Sequence, residues 1–174
     1  GRRSRPARIV ILLRGLPGSG KSRLARLIRE LEKEADSPAP RLLSLDDYFE
    51  GEDGYEYDPD LEPSYRQSLL KNFVKTIEKP NLHPLVVVDA IHAKRDHFEP
   101  FYQAALAKGF SVFVANLDAD IGECAKNNTH NWNLAQLQMM RQVWEETPTY
   151  MQRLDSSKLT GRGSDSGGGS ASKA

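Results

Sequence analysis

An α/β fold with a parallel sheet between two layers of helices is predicted by three features of this sequence. Four short apolar runs, at 8–14, 41–45, 85–88 and 110–117, alternate with segments whose apolar residues recur at helical spacing. Strands that alternate with helices pair in parallel through right-handed crossovers. The first run also leads directly into a glycine-rich octet, Gly15 to Ser22. With 174 residues, 39% of them hydrophobic, the chain has room for one packed core and a tail. The expected units are a basic arm over 1–7, a folded domain over 8–159 and a disordered Gly/Ser tail over 160–174.

Residues 8–14 form a β-branched and leucine run, which suits a strand buried on both faces. Leu24, Leu27, Ile28 and Leu31 predict a helix from Gly20 to about Glu34, with Arg23, Arg26 and Arg29 turned to water. Ser37-Pro38-Ala39-Pro40 stops it before the second strand. The acidic stretch Glu50 to Glu62, with Gly51, Gly54 and Pro59, reads as an ordered, irregular loop. Pro63 in a first turn opens a helix to about Glu78, buried through Leu69, Leu70, Phe73 and Ile77. The third strand closes on Asp89, a helix over 96–108 stops at Gly109, and the fourth strand follows. Asp120 caps a helix to about Asn127. A polar loop then leads to a helix over 134–146, which Pro148 breaks. Tyr150 to Leu154 fits either a short edge strand or a helical turn.

Composition excludes several classes. No apolar run is long enough to cross a bilayer, so a soluble protein with no membrane partner is expected. The lone Cys124 has no second cysteine for a disulfide or zinc site and reads as buried. His83, His97 and His130 show no metal-ligand spacing among themselves or with Cys124. The 24 basic and 24 acidic residues cancel, yet nine basic residues and no acid precede Glu30. From Glu30 to Glu62 thirteen acids stand against Lys33 and Arg41, so net charge gives no argument for nucleic-acid binding. Arg2, Arg3 and Arg5 fit an arm that touches nucleic acid, and equally a solvated linker. The first residue is Gly, as expected of a piece of a longer protein.

Gly15-x-x-x-x-Gly20-Lys21-Ser22, set between a strand and a helix, is a phosphate-binding loop in its proper context. A polyphosphate is wrapped by backbone N–H groups, and Gly15, Gly18 and Gly20 let the chain come close enough. Pro17, Ser19 and Arg23 belong to the same nucleotide-binding run. Lys21 puts a charge on the β- and γ-phosphates, Ser22 offers a hydroxyl to Mg²⁺, and the helix aims its positive end at the anion. The expected ligands are ATP or GTP with Mg²⁺. Because the motif holds no acid, the Lys21 ammonium is expected to be free to meet an anion.

Two acidic positions stand at strand ends, where a parallel sheet opens its ligand crevice. Asp89 sits where Mg²⁺ is held, directly or through water. Asp46 or Asp47 stands where a carboxylate accepts the proton of an attacking hydroxyl; the alternative is that one of the pair only caps the next turn. His92, with Lys94 and Arg95, reads as a solvated charged loop that could also meet a phosphate. The whole is a three-layer P-loop NTPase fold with four or five parallel strands and a helical lid.

Six stretches in order carry a resemblance: the octet itself; Leu45-Asp46-Asp47-Tyr48-Phe49; Glu52-Asp53-Gly54-Tyr55-x-Tyr57-x-Pro59; Tyr65-Arg66-x-Ser68; Val88-Asp89-Ala90; and Trp144-Glu145-x-x-Pro148. Over residues 8 to about 159 the chain resembles the P-loop domain of YLP-motif-containing proteins. That resemblance implies a nuclear, RNA-associated protein with nuclear protein partners and a kinase-like, nucleotide-binding domain. More remotely, the loop followed by Asp-Asp-Tyr resembles phage-type polynucleotide 5′-hydroxyl kinases, which implies that Asp46 is the base and that RNA or single-stranded nucleic acid is a partner.

One departure bears on turnover. Kinases of that group place arginines in the lid, whereas residues 124–133 here contain none, leaving Lys126 or His130 as substitutes and Arg141 on the next helix. Two readings therefore stand: a phosphotransferase with Lys21 and Asp46 as its catalytic residues, or a nucleotide-binding interaction module with impaired catalysis.

Overall fold

In the computed structural model, which describes residues 6–155, five parallel strands form one sheet with helices on both faces. The central strand is β1 (Ile9–Gly15), which runs through the phosphate loop into α1 (Lys21–Glu34). β2 (Arg41–Ser44) follows, then a 3₁₀ turn over Leu45–Phe49. A minimal hairpin of β3 (Glu50–Gly51) and β4 (Gly54–Tyr55) precedes α2 (Glu62–Ile77). β5 (Leu85–Asp89), α3 (Arg95–Ala107) and β6 (Ser111–Leu117) come next. α4 (Ile121–Asn127) and α5 (Leu134–Gln142) make the lid, and β7 (Gln152–Arg153) completes the sheet. The order across the sheet is β2-β5-β1-β6-β7, so neighbours reach β1 from both sides and the ligand crevice opens at its carboxyl end.

Alternation along β1 divides the core. Val10 and Leu12 pack with Leu69, Phe73 and Ile77 of α2 and with Phe98 and Phe101 of α3. Ile9, Ile11 and Leu13 pack with Leu24, Ala25 and Ile28 of α1 on the other face. A smaller cluster, Leu16 with Cys124 and Leu137, joins the phosphate loop to the lid, so Cys124 is buried as expected. Among the described residues no helix is long and apolar enough to cross a membrane.

Several segments differ from the sequence reading. The expected irregular loop contains the β3–β4 hairpin, with Glu50 opposite Tyr55. α5 ends at Gln142, short of the expected Glu146, because the residues beyond it have tertiary partners. The Glu145 N–H donates to the Ala93 carbonyl at 2.8 Å. The two options for 150–154 resolve as a strand: β7 lies parallel to β6, Phe113 beside Gln152, and is the fifth strand. The basic arm up to Arg5 and the Gly/Ser tail lie outside the described residues.

Arg14 is the largest fully buried side chain among the described residues, 1% exposed. Its Nε donates to the His92 carbonyl at 2.8 Å, Nη1 to Thr147 Oγ1 at 2.6 Å, and Nη2 to the carbonyls of Ala93 at 3.2 Å and Glu145 at 2.6 Å. The guanidinium carbon lies 4.3 Å from the Phe98 ring centroid and 4.7 Å from that of Trp144. Burial pushes its pKa down to about 10, which leaves it charged at neutral pH. One side chain thus ties β1 to the β5–α3 loop and to the segment after α5. Arg14→Met removes a donor from three carbonyls and a hydroxyl; the Ala93 carbonyl keeps the Glu145 N–H, and each of the other three acceptors costs about 1 to 3 kcal/mol when left unpaired. Urea unfolding should show a loss of at least about 3 kcal/mol, with Trp144 emission shifted to the red; an unchanged midpoint contradicts this role.

Candidate functional site

β1 delivers the phosphate loop to the centre of the crevice. Gly18 has φ 83°, and a Cβ there would lie 2.3 Å from the Cys124 carbonyl oxygen and 2.8 Å from the Asn128 nitrogen. Only glycine lets the loop pass this close beneath α4. Gly20 caps α1 with no side-chain hydrogen bond, leaving the helix end open toward the loop, and Ser22 and Arg23 are exposed. Ser19 Oγ is buried without a hydrogen-bond partner.

Lys21 lies along the loop as expected, but its ammonium is not free. Nζ donates to the carbonyls of Gly15 at 2.8 Å and Leu16 at 3.0 Å. Burial removes water from the ammonium and pushes its pKa down, while Asp89 and then Asp46 pull it up. The loop's own carbonyls therefore stand in for solvent. Of the three ammonium protons, one remains for an anion.

Both predicted carboxylates reach this neighbourhood. Asp89 ends β5 in register with Leu13 on one side and Ser44 on the other, and is 9% exposed. Burial raises its pKa, against the opposing pull of Lys21. Asp46 shares a cavity with Lys21, whereas Asp47 lines a separate groove with Arg41 and Asn72, so the geometry favours the first of the pair as the base candidate. Burial, together with the neighbouring Asp46 charge, holds the Tyr55 phenol above its usual range. His130 Nε2 lies 3.7 Å from Asp46 Oδ2, and its ring stacks on Tyr55 with centroids 3.5 Å apart and planes 14° off parallel.

Among the described residues no three His, Cys, Asp or Glu side chains gather as a metal cluster. Mg²⁺ bound with a nucleotide does not require one, since it takes one or two protein oxygens and fills its shell with phosphates and water. The Ser22 hydroxyl and the Asp89 carboxylate, whose charge Lys21 favours, fit such an ion.

The lid is held in place by Asn128, which sequence reasoning passed over. Its Nδ2 lies within hydrogen-bond distance of the carbonyls of Cys124, Ala125 and Trp132, at 3.0, 3.1 and 2.9 Å, and Oδ1 accepts from the Trp132 N–H at 2.8 Å. This turn sets His130 over Tyr55 and packs Trp132 edge-on against Tyr57, 5.0 Å between centroids. Of the two proposed arginine substitutes, Lys126 is 76% exposed with Glu123 at 4.0 Å. His130 enters the site, but at Asp46. Arg141 lines a cavity of about 530 Å³ together with Leu16 and Ser19 of the loop, Trp144 and Arg153. The sequence placed Arg141 on the helix after the lid, which the structure makes α5, the lid's second helix; Arg153 carried no local signal.

His92 corrects a further expectation. Read as part of a solvated loop, it is fully buried at φ 53°, with neither ring nitrogen hydrogen-bonded. Phe98 and Phe101 present ring edges at 6.3 and 5.8 Å. Lys94 and Arg95 are exposed as expected.

A glycine-rich loop on the central strand of a parallel sheet, strand-end carboxylates and a two-helix lid define a P-loop, kinase-like domain. The chain belongs to the family described as AAA domain, whose profile matches residues 10–153. It is 44% identical over 173 residues to YLP motif-containing protein 1 of Rattus norvegicus, an alignment covering 89% of this chain and 12% of that protein. The resemblance read from the six stretches is thereby borne out, and the chain spans about an eighth of the relative's length. Among solved structures it is similar to the Mycobacterium tuberculosis APS kinase CysC in complex with AMPPNP and APS, with TM-score 0.62, 18% identity, and coverage of 92% of this chain and 98% of that one. It is also similar to Chaetomium thermophilum Kti12 in complex with ADP-AlF3, with TM-score 0.63, 13% identity, and coverage of 87% and 93%. These structures show the fold.

Burial holds His92 well below the usual histidine range and, with the Arg66 charge, brings His97 down to about 4. In the unfolded chain both take up a proton near pH 6.5, so stability is complete above that value and is lost as pH falls below it. The His92 contribution is about 1.4 kcal/mol per pH unit below 6.5; the partly exposed His97 adds a smaller effect of the same sign. Thermal melts at pH 7.5 and 5.0 should differ accordingly, and His92→Phe should flatten the dependence. A melting temperature that rises on acidification contradicts this.

Proposed function

We propose that the domain binds ATP with Mg²⁺ on the Gly15–Ser22 loop and transfers the γ-phosphoryl group to a hydroxyl of the polynucleotide 5′ type. The observation that carries it is the convergence of Lys21 and Asp46 on one cavity, with Asp89 beside them. The acceptor oxygen bonds to the γ-phosphorus, the bond to the β–γ bridging oxygen breaks, ADP leaves, and the hydroxyl proton passes to Asp46. Lys21 moves from its two carbonyls to the phosphates, and Asp89 and Ser22 orient the metal-bearing nucleotide. When bound, Mg²⁺ supplies charge neutralisation on the phosphates. The 530 Å³ cavity beside Ser19 is where the base and ribose fit, with Arg141 and Trp144 as walls. The complexes of the two fold neighbours with AMPPNP and with ADP-AlF3 support the nucleotide assignment. A nuclear, RNA-associated setting is part of the proposal and is supported by the resemblance to YLP-motif-containing proteins.

A second reading, a nucleotide-binding interaction module with impaired catalysis, is favoured by the first part of the lid, α4 and the turn after it, since Arg141 of α5 faces the larger cavity beside Ser19. Residues 121–133 contain no arginine, and His130 occupies the approach to Asp46. An arginine at such a position contributes about 10³ to 10⁵ in rate in comparable systems. The assay that separates the readings follows labelled γ-phosphate from ATP to 5′-hydroxyl RNA and DNA and to small alcohols. Transfer that Asp46→Asn abolishes supports the enzyme; nucleotide binding with no transfer leaves the module.

Lys21→Ala tests what both readings share. Losing a charge-assisted hydrogen bond of roughly 1.5 to 3 kcal/mol should weaken AMPPNP binding about 10- to 100-fold. Calorimetry on protein with an unchanged far-UV spectrum measures it, and full affinity in the variant would place the nucleotide elsewhere.

A further inference from the structure

Charge on this molecule is gathered into two surface fields that no ion pair joins. On the outer side of α1, Arg26, Arg29 and Lys33 are exposed and share one stripe, since at about 100° per residue they fall within about 60° of the helix circumference. Among the described residues none of their side chains makes an ion pair, although Glu30 and Glu34 flank the stripe. The opposite field lies on the β3–β4 hairpin. Glu50, Glu52, Asp53 and Glu56 are exposed there, and from Glu50 to Glu62 the chain holds no basic residue. These carboxylates make no ion pair among the described residues either. With Tyr48 and Tyr65 they line a hollow of about 600 Å³ whose wall includes no Lys or Arg.

The fold keeps the two fields apart. α1 packs through Leu24, Ala25 and Ile28 on the face of β1 that carries Ile9, Ile11 and Leu13, whereas Phe49, Tyr55 and Tyr57 pack on the face that carries Val10 and Leu12. The sheet and the body of α1 stand between them, a separation beyond the screening length of about 8 Å at physiological salt, so neither field neutralises the other. Because 24 basic and 24 acidic residues cancel, a polyanion or a polycation is drawn to one field and repelled by the other, while a second copy of this chain offers both signs at once. Zero net charge also removes the long-range repulsion that holds like copies apart. Shape agrees with charge. The stripe is a convex ridge about 10 Å long from Arg26 to Lys33, and the hollow is concave, with tyrosine rings on which a guanidinium stacks.

We propose that α1 of one copy seats its basic stripe in the acidic, tyrosine-lined hollow of a second copy. The two surfaces differ, so the contact is heterologous and repeats head to tail rather than closing as a two-fold pair. It goes beyond the phosphoryl-transfer reading and does not depend on it, because the Gly15–Ser22 loop takes no part in the contact.

Sedimentation velocity on the full chain, over a range of concentrations in about 20 mM and about 300 mM NaCl, tests this. Mass should rise with concentration at low salt, and the affinity should fall at least about 10-fold at high salt. Arg26→Gln with Arg29→Gln, and separately Glu52→Gln with Asp53→Asn, should each weaken association at least about 10-fold while far-UV spectra stay unchanged. Mixing the two variants in equal parts should restore dimers that grow no further, because such a pair keeps one intact stripe facing one intact hollow. A chain that stays monomeric at low salt at every concentration, association that either variant leaves intact, or variants that fail to complement each other overturn the proposal. So does association that requires added RNA, which makes the α1 stripe a polyanion surface instead. Should either pair of substitutions unfold the chain, Lys33→Gln and Glu56→Gln take their places.

Discussion

A guanidinium removed from water must be surrounded by acceptors, and that requirement at Arg14 shapes the end of the sheet where the chemistry is placed. Its donors reach the β5–α3 loop and the segment after α5, which lie 78 to 133 residues away along the chain. Backbone that propensity would leave helical is drawn straight to meet it. The same contacts place Trp144 and Thr147 beside the phosphate loop as walls of the larger cavity. Charge here organises the fold before it serves any ligand.

A second constraint acts on the loop. Gly18 passes beneath α4 with no room for a side chain, Lys21 is turned back onto the loop's carbonyls, and the Asn128 turn sets His130 on Asp46. The ammonium and the base candidate are both engaged with the protein itself. On the proposed function, nucleotide and acceptor each displace an internal contact, which couples their binding to lid movement. On that reading His130 occupies the space beside Asp46 rather than replacing a lid arginine.

How much of this was legible in the sequence follows from the range of the interactions. The loop, the strand ends at Asp46 and Asp89, and the Asp120 cap are local patterns, and each appears where its spacing placed it. The role of Arg14 depends on partners that composition does not reveal: in sequence it only closes the apolar run of the first strand, and the groups it meets lie far along the chain. His92 sits among Lys94 and Arg95 in sequence, so a solvated loop was the natural inference, yet the chain folds its ring between aromatic side chains. Helical propensity continued past Gln142, and the pairing of Glu145 with Ala93 ended the helix instead. The ammonium of Lys21 was misjudged because a motif specifies ligands for the loaded state and says nothing of what the side chain touches when it is empty.

The central claim is that the Gly15–Ser22 loop is a nucleotide site held closed by its own contacts. A crystal structure with AMPPNP and Mg²⁺ tests it most directly. The account predicts the phosphates within the loop, Lys21 Nζ transferred from the Gly15 and Leu16 carbonyls to the β- and γ-phosphate oxygens, the metal beside Ser22 and Asp89, and the base against Trp144. A nucleotide bound elsewhere, or one bound in the loop with Lys21 still on its two carbonyls, would contradict it.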